Sequence, residues 1–224
     1  MSRKKQHRFE HNIAAENVIE RGKELYTALK GKWRELYFKN SNPITVELAC
    51  GKGEYTVGLS KQFPGVNFIG VDIKGDRIAR GSKRAMELNL SNVAFLRTGI
   101  QYLDEFFEPE EIDEIWLVHP DPQPRDKEEK RRLTNQKFLD IYKIYLKNEG
   151  IFHLKTDSAF LFDYSLEVIK ADPAFELLAY TDDLYNSDLK EGHFDIVTHY
   201  EKLFNEKGAT IHYLKAKLIK KASE

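Results

Sequence analysis

With 224 residues, 41% apolar and 32% charged, the chain is long enough for one well-buried domain and too apolar to stay wholly unfolded. No apolar run approaches the roughly 20 residues of a membrane helix. The start, residues 1–8, is too polar for a secretory signal, and the single cysteine, Cys50, excludes an intrachain disulfide and a thiolate zinc site. The expectation is a cytoplasmic chain with no membrane and no metal. The net charge of −1 is uninformative, but its distribution is not: basic residues cluster at Arg3–Arg8, at Arg125–Arg132 and at Lys215–Lys221. Such clusters make local positive faces on a neutral protein.

Residues 1–40 read as an appended basic, mostly helical segment, and 41–224 as the main domain. There, short Val/Ile/Phe-rich runs alternate with helical spacing. Ile44–Ala49, Asn67–Ile73, Val93–Arg97, Ile112–His119 and Gly150–Thr156 read as strands. Glu54–Phe63, Asp76–Leu88, Thr134–Leu146 and Ser158–Lys170 read as helices, with Thr134 and Ser158 as N-caps. A strand at Phe175–Tyr180, a polar stretch to about Asp195, a short helix and a last strand near Thr210–Leu218 follow. This order predicts βαβ units: an α/β, Rossmann-like fold with a mostly parallel sheet and helices on both faces. Ligands of such sheets sit at the carboxyl ends of the strands. That singles out Glu47–Gly53, Asp72, Thr98–Ile100, His119–Arg125 and Thr156-Asp157.

Gly51 and Gly53 follow the first of these strands and open a helix, where missing Cβ atoms let a ligand approach the backbone. A dinucleotide would favour a third glycine where this chain has Thr56. Glu47 lies beside the turn, and an anion there would repel a pyrophosphate but attract a sulfonium and an α-ammonium group. Asp72, at the next strand end, can accept hydrogen bonds from ribose hydroxyls. The combination fits S-adenosyl-L-methionine. Cys50 reads as a small buried packing residue.

The next informative strand end runs into His119-Pro120-Asp121-Pro122-Gln123-Pro124-Arg125. Its alternating prolines make a stiff, extended loop that would hold Asp121 at the mouth of the site.

These residues together resemble the TrmB-type tRNA (guanine-N7-)-methyltransferases. The matching stretches are Val46–Gly53 with Glu54-Tyr55, Asp72-Ile73-Lys74, Asp121-Pro122 with Lys130–Thr134, Gly150–Asp157, and Thr198-His199-Tyr200-Glu201 as the T-x-Y-E signature. They span about residues 44 to 213 in the family's order. The resemblance implies the class I methyltransferase fold and methylation of N7 of a tRNA guanine, conventionally position 46 of the variable region. It implies that Glu47, Gly51, Gly53, Asp72, Gly99 and Asp121 lie at the cofactor, with Asp121 also catalytic. Arg125, Asp157, Thr198, Tyr200 and Glu201 would engage the guanine and its surroundings. Many members carry Phe, Trp and Lys where this chain has His119, Gln123 and Arg125, and Asn or Asp where it has Gly99. The adenine contact at Gly99 is then left to backbone or to a neighbour such as Thr98 or Ile100.

Guanine N7 has a free lone pair, so its methylation needs alignment rather than deprotonation. A carboxylate near the site, Asp121, suits the positive charge that develops on the base. Asp157 and Glu201 are acceptors suited to its N1–H and N2–H₂ donors, and Arg125 suits O6 or a phosphate. The basic arm 1–8 and the run Lys127–Arg132 are expected to grip tRNA phosphates. A small-molecule methyltransferase would share Glu47 and Asp72 but would not need the basic run or T-x-Y-E. An amino-methylating DNA enzyme would favour a Pro-Pro-aromatic segment in place of Asp121–Pro124. A tRNA-binding protein with a vestigial cofactor fold is the rival from a different class. The sequence leaves a monomer or a homodimer open.

Overall fold

The computed structural model describes residues 3–199, 201–202 and 208–220. The strand-forming runs become β1 (Val18–Ile19), β2 (Ile44–Leu48), β3 (Asn67–Val71), β4 (Val93–Leu96), β5 (Ile112–Val118), β6 (Leu146–Thr156), β7 (Phe175–Thr181) and β8 (His212–Leu218). They form one sheet in the order β1-β4-β3-β2-β5-β6-β8-β7. Pairing is parallel from β1 through β6, while β8 runs antiparallel to both β6 and β7. The helices are α1 (Arg3–Ala14), α2 (Glu54–Gln62), α3 (Gly75–Glu87), α4 (Gln136–Tyr145) and α5 (Ala159–Ala171).

Side chains on a strand alternate between faces, and this alternation builds two cores. Ile44, Val46, Leu48, Ile115 and Leu117 point to the face covered by α4 and α5, where Phe138, Leu139, Tyr142 and Phe162 are buried. Phe68, Phe95, Trp116 and Val118 point to the face covered by α2 and α3, against Tyr55, Leu59, Ile78 and Ala85. Because β2 is flanked by β3 on one side and β5 on the other, the strand order reverses there. A crevice opens at its carboxyl end.

Beyond shifts at element ends, three differences from the sequence reading bear on packing. Asn135, not Thr134, caps α4: its side chain accepts from the Lys137 N–H, while Thr134 is buried and accepts from Ser165 Oγ at 2.7 Å. Ser158 does cap α5, accepting from Leu161 N–H. β6 starts at Leu146 rather than Gly150, because Leu146 already pairs with Ile112 before an irregularity in the ladder. The N-terminal segment holds a strand that periodicity did not reveal: β1 is two residues long and is set by tertiary pairing with β4. α1 lies on α3, where Asn12 Nδ2 donates to Gly75 O at 2.8 Å and His11 Nε2 is 2.8 Å from Ser82 Oγ.

Candidate functional site

Glu47 is the penultimate residue of β2, with only 4% exposure. Its carboxylate accepts from the Thr56 backbone N–H at 2.7 Å and from the Thr56 hydroxyl, on one oxygen. Burial pushes the Glu47 pKa up to about 7 against the pull of the two Thr56 bonds. Thr56 therefore works where a dinucleotide fingerprint would want glycine, since a glycine there would leave the acid without its hydroxyl donor. Gly51 has φ +56 with open space where a Cβ would stand, as close backbone approach requires. Gly53 has φ +65, and a Cβ there would collide with the Phe95 ring. Asp72 at the end of β3 accepts from Gly51 N–H at 2.9 Å and Lys74 N–H at 2.7 Å, which ties the glycine turn to the second acid. Glu47, Cys50, Gly51, Tyr55, His119 and Thr198 help enclose a cavity of about 70 Å³ beside this turn. Cys50 is buried, and burial raises its thiol well above the ordinary range, so it packs rather than reacts.

Across the cavity lies a chain of charges. His119 follows β5 in left-handed backbone, φ +47. Its Nδ1 is 3.0 Å from Asp157 Oδ1, and its Nε2 is 3.5 Å from Glu201 Oε2. Lys155 on β6 and Glu201 are both fully buried and pair at 2.7 Å. Tyr185 OH donates to the same Glu201 oxygen as Lys155, and Lys155 also sits 5.3 Å from the centre of the Tyr55 ring. Burial favours a protonated Glu201, but His119, Lys155 and Tyr185 outweigh it and bring its pKa down to about 2. Thr198 N–H donates to Glu201 Oε2 at 3.2 Å, and Glu201 N–H donates to Thr198 Oγ1 at 3.2 Å. This reciprocal pair is a capping box, so T-x-Y-E also encodes a local fold. Tyr200 lies outside the described residues.

The proline loop separates the remaining candidates from this chain. Asp121 is exposed there. Arg125 is exposed and paired with Glu128. Arg132 departs from the expected phosphate-facing run: it is 4% exposed, donates to Gln123 O at 3.1 Å, and stacks over the Phe160 and Tyr164 rings at 4.6 and 4.4 Å. It bolts the loop to α5 and leaves the outer face to Lys127, Lys130 and Arg131. Beside Gly99, Thr98 and Ile100 are buried, and the group that occupies the space of a Cβ is the Gln101 carboxamide. A second, open cleft of about 540 Å³ runs from Gly53 between α2 and α3, lined in part by Lys61, Arg80 and Arg84. Among the described residues no group of three or more His, Cys, Asp or Glu is placed to hold a metal ion, and no helix is long and apolar enough to cross a membrane.

The family model described as "Putative methyltransferase" matches residues 41–214. Over 221 residues the chain is 46% identical to the tRNA (guanine-N(7)-)-methyltransferase of Cytophaga hutchinsonii, covering 98% of this chain and 99% of that one. The chain belongs to the tRNA (guanine-N7-)-methyltransferase family. Another relative, from Lachnoclostridium phytofermentans, is 38% identical over 187 residues, covering 84% of this chain and 86% of that one. The solved 16S rRNA methyltransferase KamB superposes with a TM-score of 0.62 at 12% identity, over 83% of this chain and 92% of that one, and so shares the fold.

In this member of the tRNA (guanine-N7-)-methyltransferase family, the fold ties Gly51 to Asp72 by a backbone hydrogen bond and Glu47 to Thr56 in the first turn of α2, beside that turn. It joins Asp157 and Glu201 through His119, and Glu201 to Thr198 through the capping box. Asp121, Gly99 and Arg125 stand on neighbouring loops. Lys155, Thr56 and Tyr185 were not legible as site residues. Thr56 reads only as a missing third glycine, Tyr185 lies in a polar stretch outside any motif, and Lys155 reads as one alternating position of a strand. The T-x-x-E spacing was the available signal for the cap.

Proposed function

We propose that this protein transfers a methyl group from S-adenosyl-L-methionine to N7 of a guanine in tRNA, namely guanine 46 of the variable region. The observation that carries the reading is the meeting, across one small cavity, of the Glu47–Asp72 glycine turn with the Asp157–His119–Glu201 chain. The kinship with tRNA (guanine-N(7)-)-methyltransferases supports the choice of substrate.

The residues present fit the cofactor. Among the described residues Glu47 is a buried acid with no cation paired to it, Gly51 leaves room at the turn, and Asp72 keeps lone pairs beyond its two backbone bonds. In this reading Glu47 faces the cationic end of the cofactor, the backbone of Gly51 and Gly53 lies along it, and Asp72 takes the ribose hydroxyls. Gln101 over Gly99 offers amide groups to the adenine. When bound, the cofactor supplies an electrophilic methyl group on a sulfonium. The protein's own task is alignment and charge. Asp121 faces the positive charge that grows on the base, Asp157 accepts from the Watson–Crick edge, and Thr198 with Glu201 holds that wall in place. Arg125, Lys127, Lys130, the cations of the α2–α3 cleft and the basic arm take phosphates. Such a reaction suits a cytoplasmic protein, as a monomer or a homodimer.

The test is mass spectrometry of nucleosides from tRNA incubated with the protein and methyl-labelled cofactor, with the labelled position mapped by fragmentation. Label in 7-methylguanosine at position 46 is the expected result. Label in another base overturns the substrate assignment, and 7-methylguanosine elsewhere overturns the position.

A further inference from the structure

We infer that His119 is a proton-dependent positioning residue: as an imidazolium it ties Asp157 to the immobile Glu201, and so fixes the carboxylate that receives the guanine. This inference rests on the reading of Asp157 as the guanine acceptor.

The geometry argues for the charged ring. Both ring nitrogens face carboxylate oxygens, Nδ1 at 3.0 Å and Nε2 at 3.5 Å. A carboxylate only accepts, and a neutral imidazole has one N–H. The neutral ring would therefore turn a lone pair on one of the two anions, with the His119 side chain only 9% exposed. The imidazolium turns an N–H toward each anion: Nδ1 hydrogen-bonds Asp157, while the buried Nε2 has no hydrogen-bond partner among the described residues and meets Glu201 as an ion pair. Charge balance agrees: Lys155 already neutralises Glu201 at 2.7 Å, so Asp157 is the anion left for His119.

The two carboxylates are not equivalent. Glu201 has no exposure and is held by Lys155, Tyr185 and the Thr198 N–H. Asp157 is 25% exposed at the end of β6 and is the end that faces outward. Rigid on one side and open on the other, the arrangement makes His119 the hinge pin for Asp157. Its left-handed backbone, φ +47, is an uncommon conformation for a histidine and delivers the ring to this spot.

Other charged groups around the ring set the balance. Glu47, Lys52, Glu54 and Arg77, with the Tyr55 phenol, line the cavity that His119 also lines. His212 on β8 acts on Asp157 from the neighbouring strand. Burial pushes the His119 pKa down, but its bonds to Asp157 and Glu201 and their charges carry it above the ordinary value. The imidazolium is thus favoured below the raised value and is lost as pH rises through it.

The full-length protein labelled with ¹³C-histidine, titrated by NMR, reads the proton directly. His119 is expected to titrate above the usual value of about 6.5 and to fall in Asp157→Asn. The kinetic arm uses His119→Asn, because asparagine tolerates left-handed backbone and offers a neutral donor. At pH 6.5 its KM for tRNA is expected to rise about tenfold, the size of one charge-assisted hydrogen bond, with kcat and cofactor affinity by calorimetry little changed. In the wild type the tRNA KM rises at alkaline pH, and that limb is absent in His119→Asn. A His119 that titrates at or below the usual value, or a variant that keeps the wild-type pH profile, overturns the inference. If the methyl label goes to a base other than guanine, the substrate reading fails, while the titration and its response to Asp157→Asn still decide the clamp.

Discussion

With its carboxylate sealed between β2 and α2, Glu47 is a buried acid whose proton would leave if, as proposed, the cationic end of the cofactor lies beside it. Burial holds its pKa at about 7 in the cofactor-free protein, and a sulfonium beside it favours the ionised form. Cofactor binding below neutrality should therefore release a proton, with affinity climbing between pH 5.5 and 7 and levelling above. Calorimetry at pH 6 in buffers of different ionisation heat measures that proton. Glu47→Gln should abolish both the release and the pH slope, and weaken binding at pH 8. The Lys155–Glu201 pair obeys a different rule, because breaking a fully buried pair strands a charge. Lys155→Met is expected to lower unfolding free energy by about 3–5 kcal/mol in urea titrations, and the double variant with Glu201→Gln should recover a large part of that loss.

Two short elements carry the site, and each depends on a residue with a local job. α2 begins at Gly53 in left-handed backbone with the Phe95 ring against its missing Cβ. Gly53→Ala combines a backbone penalty with overpacking, so a loss of roughly 2–4 kcal/mol is expected, seen as a lowered denaturation midpoint with disturbed cofactor binding. The proline loop after β5 hangs on Arg132, whose guanidinium stacks on Phe160 and Tyr164 and bonds Gln123 O. Arg132→Lys keeps the charge but loses the planar stack and the fixed fork. If the loop's rigidity positions Asp121, this substitution lowers kcat while leaving the salt dependence of tRNA binding unchanged, a result that a phosphate contact at Arg132 would not give.

For the whole molecule, the two buried acids act on stability with opposite sign. Glu201, lowered to about 2 from 4.5, contributes stability above pH 4.5 that is lost as pH falls toward 2. Glu47, raised from 4.5 to about 7, does the reverse: the folded form binds its proton more tightly, so that contribution is lost as pH rises from 4.5 to 7. His119, also raised, loses its contribution as pH rises from its ordinary value of about 6.5 through the raised one. The cofactor-free protein should thus melt highest on the acid side of neutrality, and saturating S-adenosyl-L-methionine should move that maximum toward neutral pH, as scanning calorimetry across pH can measure. The net charge of −1 hides a basic cleft between α2 and α3. Charge reversal at Lys61 and Arg80 should weaken tRNA binding and flatten its salt slope by about 1 to 2, with cofactor affinity unchanged.

The residues by themselves determined the alternation of strands and helices, the parallel sheet and the turn at Gly51–Gly53 with its two acids, because periodicity and short-range spacing are local properties of the chain; T-x-Y-E and the role of Asp157 were implied only by the family resemblance. β1 was not legible, since a two-residue strand exists only through its pairing with β4. The inward turn of Arg132 was not legible either: a basic run reads as surface until the rings of α5 are placed beneath one of its members. The same holds for the glycine turn's partner Thr56, for Lys155, and for His119 as the bridge between Asp157 and Glu201. Each owes its role to burial beside a residue distant in sequence or on another element, and only the tertiary structure sets which charges meet out of water.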